Sequence, residues 1–348
     1  MPEGHTVHRL ARTFREVFAG QRVRLSSPQG RFAADAACLD GWWLTDVEAA
    51  GKHLLLHLAP VPDAPEGSDS ALMIHVHLGL YGSWTFAGDP DVGGQGSALA
   101  HAIGAPRVRV GEREQAVTDT SAPGDWRQTP PRGQVRLRIL GERALADLTG
   151  PTACEVIDAA GRTALLQRLG PDPLRGDAES RVFVERVRRS RTPIGQLLMD
   201  QAVVAGIGNI YRAELLFRAR VDPWVPGRDL TAGLVEGLWE DLVPLIRYGE
   251  RTGRIVTTQV EHRHLEARLM ERPGGARQNG DDDPAAVPRE QAFYVYHRQT
   301  LPCRLCHTPV RSSAMAGRTV YWCPRCQRVR TRRSPWSREH PADAWALE

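Results

Sequence analysis

Val204-Ala205-Gly206-Ile207-Gly208-Asn209-Ile210-Tyr211-Arg212 places two glycines one residue apart between two segments of helical spacing. Upstream, Thr192-Pro193 reads as a helix start, a hydroxyl cap followed by proline at the first helical position. Ile194, Leu197, Leu198 and Val203 then form one buried face, up to a stop at Ala205-Gly206. Downstream, the spacing predicts a second helix over Ile210 to Arg218. Glycines at 206 and 208 permit tight turns and close backbone approach, so Gly206 and Gly208 can offer amide hydrogens to a phosphate at the start of that helix. Asn209 can add side-chain donors. A turn with two glycines ordinarily just connects helices, so its surroundings decide what it is for.

Towards the C-terminus, Cys303-x-x-Cys306 and Cys323-x-x-Cys326 are separated by sixteen residues. This spacing lets a hairpin carry four thiolates to one tetrahedral ion, predicting a single structural zinc with no open coordination position. Cys38 and Cys154 stand alone and are expected to be buried thiols. Gly317-Arg318-Thr319 falls between the knuckles, ahead of the strand-like Val320-Tyr321-Trp322, so a hairpin tip would present Arg318 either to a phosphate or simply to solvent. Cys303 to Arg333 holds eight arginines and no carboxylate, and Arg181 to Arg191 holds five arginines against Glu185. Net charge is only +4, so it is this clustering, beside two motifs, that suggests a surface tracking phosphates rather than a merely solvated face.

The N-terminal half has a different texture. Thr6 to Phe18 places Val7, Leu10, Ala11, Phe14, Val17 and Phe18 at helical spacing. Gln21 to Leu25, Leu54 to Leu58, Leu72 to Leu78 and Val135 to Ile139 read as strands of an antiparallel sandwich or barrel. A Gly-, Pro-, Ala- and Ser-rich stretch over about 87 to 132 reads as a surface insertion, and 273 to 289 as a second loose stretch. Ala153 to Leu169 is predicted helical before the breaker Gly170-Pro171-Asp172-Pro173. The organisation expected is a β-sandwich domain over 1–148, a linker over 149–176, a helical domain over 177–290, a zinc finger over 291–330 and a tail over 331–348. With 348 residues, 41% of them hydrophobic, two domains have ample material for cores. No apolar run reaches the length of about 18 residues that a membrane helix needs, and the chain opens on a charged helix rather than a leader, so a cytoplasmic protein without membrane spans is expected; a monomer is the expected state.

Of 45 basic residues, Lys52 alone is lysine. Arginine cannot replace a compact ammonium with three freely rotating protons, so Lys52 is singled out, although chance survival would leave the same mark.

Met1-Pro2-Glu3-Gly4, Gly51-Lys52-His53-Leu54, His77-Leu78-Gly79-Leu80-Tyr81-Gly82, Asp200-Gln201 through Phe217, and the four-cysteine hairpin together resemble the formamidopyrimidine-DNA glycosylase and endonuclease VIII family. They occur in that family's order, and the endonuclease VIII-like branch is the better match. The resemblance implies an α+β multidomain fold: an N-terminal helix with a two-layered antiparallel β-sandwich, then a helix-two-turn-helix domain with a four-cysteine zinc-finger hairpin. It also implies a bifunctional DNA glycosylase and AP lyase of base excision repair acting on damaged DNA, with oxidised pyrimidines favoured and β,δ-elimination expected.

In that reading Pro2, freed of Met1, is the amine nucleophile and Glu3 its general acid and base. Lys52 holds the lesion nucleotide's phosphate or donates a proton near the sugar. Asn209, Arg318 and the Gly206 and Gly208 backbone contact DNA, while Leu80 and Tyr81 fill the void left by an extruded base, or else pack within the sheet. Thr6 stands where many relatives carry a second glutamate, and Gly79 where some carry a polar wedge. His5, His8, His75 and His77 read as polar cleft or core histidines rather than as a metal site. Two other readings keep parts of the pattern: a glycosylase for bulky adducts or interstrand crosslinks, and a damage-binding protein without chemistry.

Overall fold

The computed structural model describes residues 2–62, 71–89, 102–104, 125–263 and 287–328. Most of the expected insertion near 87–132 and of the stretch near 273–289 therefore lies outside the described residues, as does the tail beyond 328. Contacts divide the chain into two units: the first spans Met1–Arg168 and takes in Glu250–Arg254, and the second begins at Leu169 and holds the remaining described residues.

The first unit opens with α1 (Gly4–Phe18), whose Val7, Leu10, Ala11, Phe14, Val17 and Phe18 are all buried, as their spacing predicts. Phe14 meets Trp84 edge-on at 4.7 Å and lies 5.1 Å from Phe86, so the helix is embedded in the core instead of decorating it. β1 (Gln21–Arg22) and β2 (Arg24–Ser26) flank buried Val23, and α2 (Ala33–Leu39) precedes the hairpin of β3 (Trp43–Ala50) and β4 (His53–Ala59). Next come β5 (Leu72–His77), β6 (Ser83–Gly88), β7 (Ala102–Gly104), β8 (Val135–Leu140), β9 (Ala144–Thr149) and β10 (Ala153–Ile157), and α3 (Ala159–Gln167) closes the unit. The strands form two five-stranded antiparallel sheets, ordered β1-β3-β4-β5-β10 and β2-β8-β9-β6-β7. This is the antiparallel sandwich that alternating short runs with polar turns should give.

Three local expectations are corrected. Gln21 to Leu25 is not one strand: β1 pairs with β3 and β2 with β8, so the chain changes sheet at Val23. Ala153 to Ile157 is a strand rather than the start of a helix, because adjacent β-branched Val156 and Ile157 favour an extended backbone and Asp158, accepting from Gly161 N–H at 2.7 Å, caps the helix only from residue 159. The expected linker, 149–176, thus holds both β10 and α3. Cys38 is exposed because α2 buries Ala36 and Leu39, leaving residue 38 on its outer side, while Cys154 is half-buried.

The second unit contains α4 (Ser180–Arg189), α5 (Ile194–Leu197), α6 (Asn209–Arg218), the long α7 (Ala232–Thr252, whose last residues belong to the first unit), α8 (Arg289–Ala292) and the hairpin of β11 (Arg311–Met315) and β12 (Arg318–Trp322). One apolar core joins Phe183, Val187, Leu198, Tyr211, Leu215, Leu238 and Leu242, and a smaller one packs Ala213, Phe217 and Tyr294 against the cysteine hairpin. The upstream helix is shorter than its spacing suggests. Thr192 does not cap it, since Pro193 occupies the cap position and Thr192 uses its N–H on Ser190 Oγ at 3.1 Å. After Leu198 the chain leaves helical geometry, and Asp200 gathers the next turns, its carbonyl accepting from Val203 and Val204. No helix among the described residues is long and apolar enough to cross a membrane.

Candidate functional site

Residues singled out in the first unit fall at the start of α1 and on the sheet that carries β4 and β5. Glu3 is the N-cap of α1: its backbone is extended, its carbonyl accepts from Thr6 N–H at 3.0 Å, and its side chain makes no capping bond. It is 1% exposed, a carboxylate held beside the positive end of a helix, and Pro2 beside it is also buried. Because α1 is locked into the core by Phe14 and Leu10, residues 2 and 3 are fixed by the packing of the helix they precede. The Thr6 hydroxyl lies 3.2 Å from His5 Nε2. His5 is pushed down to about 3, chiefly by burial and then by the Arg9 charge.

Lys52 lies in the two-residue turn between β3 and β4, where Ala50 and His53 are paired and Gly51 takes a φ of 58°. A positive φ at the first turn position suits glycine, which leaves Lys52 at the second, half-buried and displayed at the hairpin end. Beside it the sheet carries a connected histidine chain. His75 Nδ1 lies 2.9 Å from Glu155 Oε1, and His75 Nε2 lies 2.9 Å from His53 Nδ1. The carboxylate only accepts, so His75 presents Nδ1–H to it and its Nε2 to His53. The His53 ring lies 4.9 Å from that of His77. Burial, together with neighbouring His77, His75, Arg168 and Lys52, pushes His53 down to about 3, and burial with His75 and Lys52 lowers His77. Sequence reasoning missed Glu155 and His53 as members of this set. The periodicity of β4, β5 and β10 could have shown it, since His53 pairs with His77 and His75 with Glu155.

The loop after β5 is built around glycine. Gly82 N–H donates to the Leu78 carbonyl at 2.9 Å, and a Cβ on Gly82 would meet that carbonyl oxygen at 2.4 Å. Gly79 has a φ of +66°, and a Cβ there would lie 1.7 Å from Thr152 Oγ1. Gly79 is therefore demanded by the backbone, and a wedge side chain cannot occupy that position in this loop. Leu78 is buried, Leu80 half-buried, and Tyr81 is 52% exposed.

In the second unit, Gln201 organises the two-glycine turn. Its Oε1 accepts from Gly206 N–H at 3.0 Å and its Nε2 donates to the Ile207 carbonyl at 3.0 Å. The Gly206 amide is thus committed within the protein, which corrects the expectation that it faces a phosphate: Gly206 supplies the turn, with a φ of 87°. Gly208 is the N-cap of α6 and Asn209 its first residue, half-buried. Arg181, Arg186, Arg188, Arg189 and Arg191 are all exposed, since α4 buries Phe183, Val184 and Val187.

The four cysteines converge, with all Sγ atoms within 4.8 Å of one another, and the Cys303–Cys326 separation is 3.9 Å. Metal–sulfur bonds of about 2.3 Å in a tetrahedron imply Sγ separations near 3.8 Å, so the cluster suits one ion. Cys323 N–H donates to Gln327 Oε1 at 2.8 Å, and Gln327 Nε2 to the Val221 carbonyl at 2.9 Å, fastening the second knuckle to the helical body. Ala316 and Gly317 form the hairpin turn, both with positive φ, and Arg318 is the first residue of the returning strand.

Residues 1–126 match the formamidopyrimidine-DNA glycosylase N-terminal domain, and residues 169–260 the formamidopyrimidine-DNA glycosylase H2TH domain. Endonuclease 8 1 of Mycobacterium tuberculosis (strain ATCC 25618 / H37Rv) is 40% identical over 327 residues, covering 94% of this chain and 100% of that protein. The formamidopyrimidine-DNA glycosylase of Geobacillus kaustophilus is 36% identical over 174 residues, 49% of this chain and 56% of that one. Among solved structures, the MutM (Fpg) protein of Thermus thermophilus superposes with a TM-score of 0.62 at 25% identity, covering 94% of this chain and 98% of that one. Lactococcus lactis Fpg in complex with abasic-site DNA gives 0.63 at 18% identity, covering 93% and 99%, a likeness of fold.

Proposed function

The chain belongs to the formamidopyrimidine-DNA glycosylase and endonuclease VIII family, DNA glycosylases with AP lyase activity in base excision repair, and on that premise we propose that Pro2 is its nucleophile and oxidised pyrimidines its favoured substrates. The observation that carries the proposal is the placement of Pro2 and Glu3 together, buried, at the head of a helix rooted in the sandwich core.

Removal of Met1 gives Pro2 a secondary amine, and an α-amino group titrates near 7.7–8.0, so a useful fraction is unprotonated at neutral pH. The nitrogen lone pair attacks C1′ of the damaged nucleotide. The C1′–base bond breaks with its electron pair leaving on the base, which takes a proton from water. The Glu3 carboxylate takes the proton of the attacking amine and delivers it to the sugar ring oxygen as the C1′–O4′ bond breaks and the iminium forms. The resulting iminium acidifies the C2′ hydrogens. Loss of one of them expels the 3′ phosphate, a second elimination expels the 5′ phosphate, and water releases the sugar fragment from Pro2. Glu3 suits the proton transfers because it is adjacent to Pro2 and buried.

Lys52, displayed at its hairpin turn, holds the lesion phosphate or donates a proton near the sugar. Asn209 and the Gly208 backbone at the start of α6, together with Arg318, contact neighbouring phosphates. Tyr81, the most exposed aromatic of its loop, and Leu80 fill the space of the extruded base. Cys303, Cys306, Cys323 and Cys326 would hold one zinc ion, which supplies no chemistry to the reaction and secures the hairpin that carries Arg318. The same reading takes the enzyme to act on damaged DNA as a monomer in the cytoplasm.

The test is base release from duplexes carrying thymine glycol, dihydrouracil or 8-oxoguanine, for the natural chain and Pro2→Gly. The expectation is fastest release of the two pyrimidines, a loss of at least about 100-fold in Pro2→Gly, and abasic-analogue binding within roughly threefold of the natural chain. Undiminished release by Pro2→Gly would defeat the mechanism. Preference for 8-oxoguanine would defeat the substrate assignment alone.

A further inference from the structure

Arg212 is the fourth residue of α6 and is 0% exposed. Its guanidinium reaches two other elements and the first residue of its own helix. Nη1 donates to the Gly195 carbonyl in α5 at 3.4 Å, and Nη2 donates both to the Thr319 carbonyl in β12 at 2.9 Å and to Asn209 Oδ1. Gly195 is itself a seat for the hairpin: a Cβ there would lie 2.9 Å from Met315 Sδ, and Met315 is paired with Arg318 across the β11–β12 turn.

From this geometry we propose that Arg212 is a positioning residue for DNA binding, which sets the aim of Asn209 and Arg318 without touching DNA itself. The inference rests on the reading of those two residues as phosphate contacts. Arginine has donors and no acceptor, so it fixes which end of the Asn209 amide faces inward: Oδ1 is held by the guanidinium and the NH2 end is left for a ligand. The carbonyl of Thr319 belongs to the residue after Arg318, so the same nitrogen ties the start of β12 to the start of α6. One planar fork thereby fixes the amide orientation of one phosphate donor and the backbone position of the other. Lysine carries its donors on a single point and cannot span three acceptors in one plane. Full burial keeps Arg212 off the backbone of any bound strand.

A residue that merely stabilised the fold would weaken binding by the same factor whether or not Asn209 and Arg318 were present. A positioning residue has nothing left to position once they are gone. The experiment is a mutant cycle on the full chain, reading the dissociation constant of a tetrahydrofuran-containing duplex across a salt series for Arg212→Met, Asn209→Ala with Arg318→Ala, and all three together. Arg212→Met is expected to weaken binding by about 10-fold in the natural chain and by less than about twofold in the Asn209→Ala, Arg318→Ala background. Arg212→Lys, which keeps the charge, serves if Arg212→Met does not fold, with a loss of about fivefold that vanishes in the same background. Equal losses in both backgrounds, or none in either, would overturn the positioning role. Natural binding by the Asn209→Ala, Arg318→Ala protein would instead sink the phosphate assignment beneath it.

Discussion

Replacing Glu214 with glutamine changes one oxygen to an NH2 group at a site that is 0% exposed. Oε1 accepts from the backbone N–H of Val295 and of Tyr296, each at 2.8 Å, while Oε2 accepts from Tyr294 N–H at 2.8 Å and from the Thr257 hydroxyl. Glutamine best keeps its oxygen at the Oε1 position, because the Thr257 hydroxyl on the other side can rotate to accept from the new NH2. The Tyr294 N–H cannot. One buried donor is then left facing another donor, at a cost of about 1–3 kcal/mol. The two surviving bonds lose the charge that roughly doubles their strength, about 1 kcal/mol each. The second unit should lose about 3–5 kcal/mol, which for a unit of this size lowers the melting midpoint by roughly 6–20 °C. Differential scanning calorimetry of the full chain measures it, with Glu214→Ala, which strands all three backbone donors, as the more damaging control. Since Tyr294–Tyr296 runs on to Cys303, the hairpin should also surrender its metal to a chelator faster. A Glu214→Gln midpoint within about 2 °C of the natural chain would refute the account of this carboxylate as an acceptor for four donors.

Acid should destabilise the first unit. His5 and His53 are held near 3 when folded and return to about 6.5 when unfolded, so between those values the unfolded chain binds more protons and stability falls as pH falls. Each group contributes at most about 1.4 kcal/mol per pH unit, and urea midpoints at pH 7.5, 6 and 5 should show a decline that His5→Gln with His53→Gln flattens. An unchanged slope in that double variant would count against the buried, neutral histidines. Gly79→Ala should destabilise the loop after β5 twice over, through its left-handed φ and through the clash with Thr152 Oγ1, and Thr152→Ala should restore only the second part. Full rescue by Thr152→Ala, or no effect of Gly79→Ala, would contradict that division.

Much of the architecture was legible in the sequence because it rests on periodicity. The buried face of α1, the strands β4, β5 and β8, and the cysteine knuckles each follow from spacing that few alternatives satisfy. The misreadings share a cause, since short segments carry too few residues for periodicity to decide among states. Gln21 to Leu25 alternates correctly, yet nothing local reveals that its two halves serve different sheets. At Thr192-Pro193 the capping pattern is present, but the Thr192 carbonyl is used by Gly227 N–H, a partner thirty-five residues distant in the chain. Proline therefore takes the cap position instead.

The same distinction separates the parts of the candidate site. Pro2, Glu3, Lys52, Asn209 and Arg318 stand out as residue types in motifs. Gln201, Arg212 and Glu214 lie within a motif and Gln327 beside one, yet their residue types do not announce a role, because their importance lies in backbone groups they satisfy across the fold. A chain with 44 arginines among its 45 basic residues gives no hint that Arg212 is buried while Arg186 is exposed. Only the packing of α6 against the cysteine hairpin distinguishes them.

The central claim is that the mature chain attacks the sugar through the nitrogen of Pro2. Incubation with a thymine-glycol duplex in borohydride, followed by proteolysis and mass spectrometry of the trapped adduct, tests it directly. The adduct mass should lie on a peptide that begins at Pro2 without Met1. An adduct on Lys52, or full activity in protein that retains Met1, would contradict it.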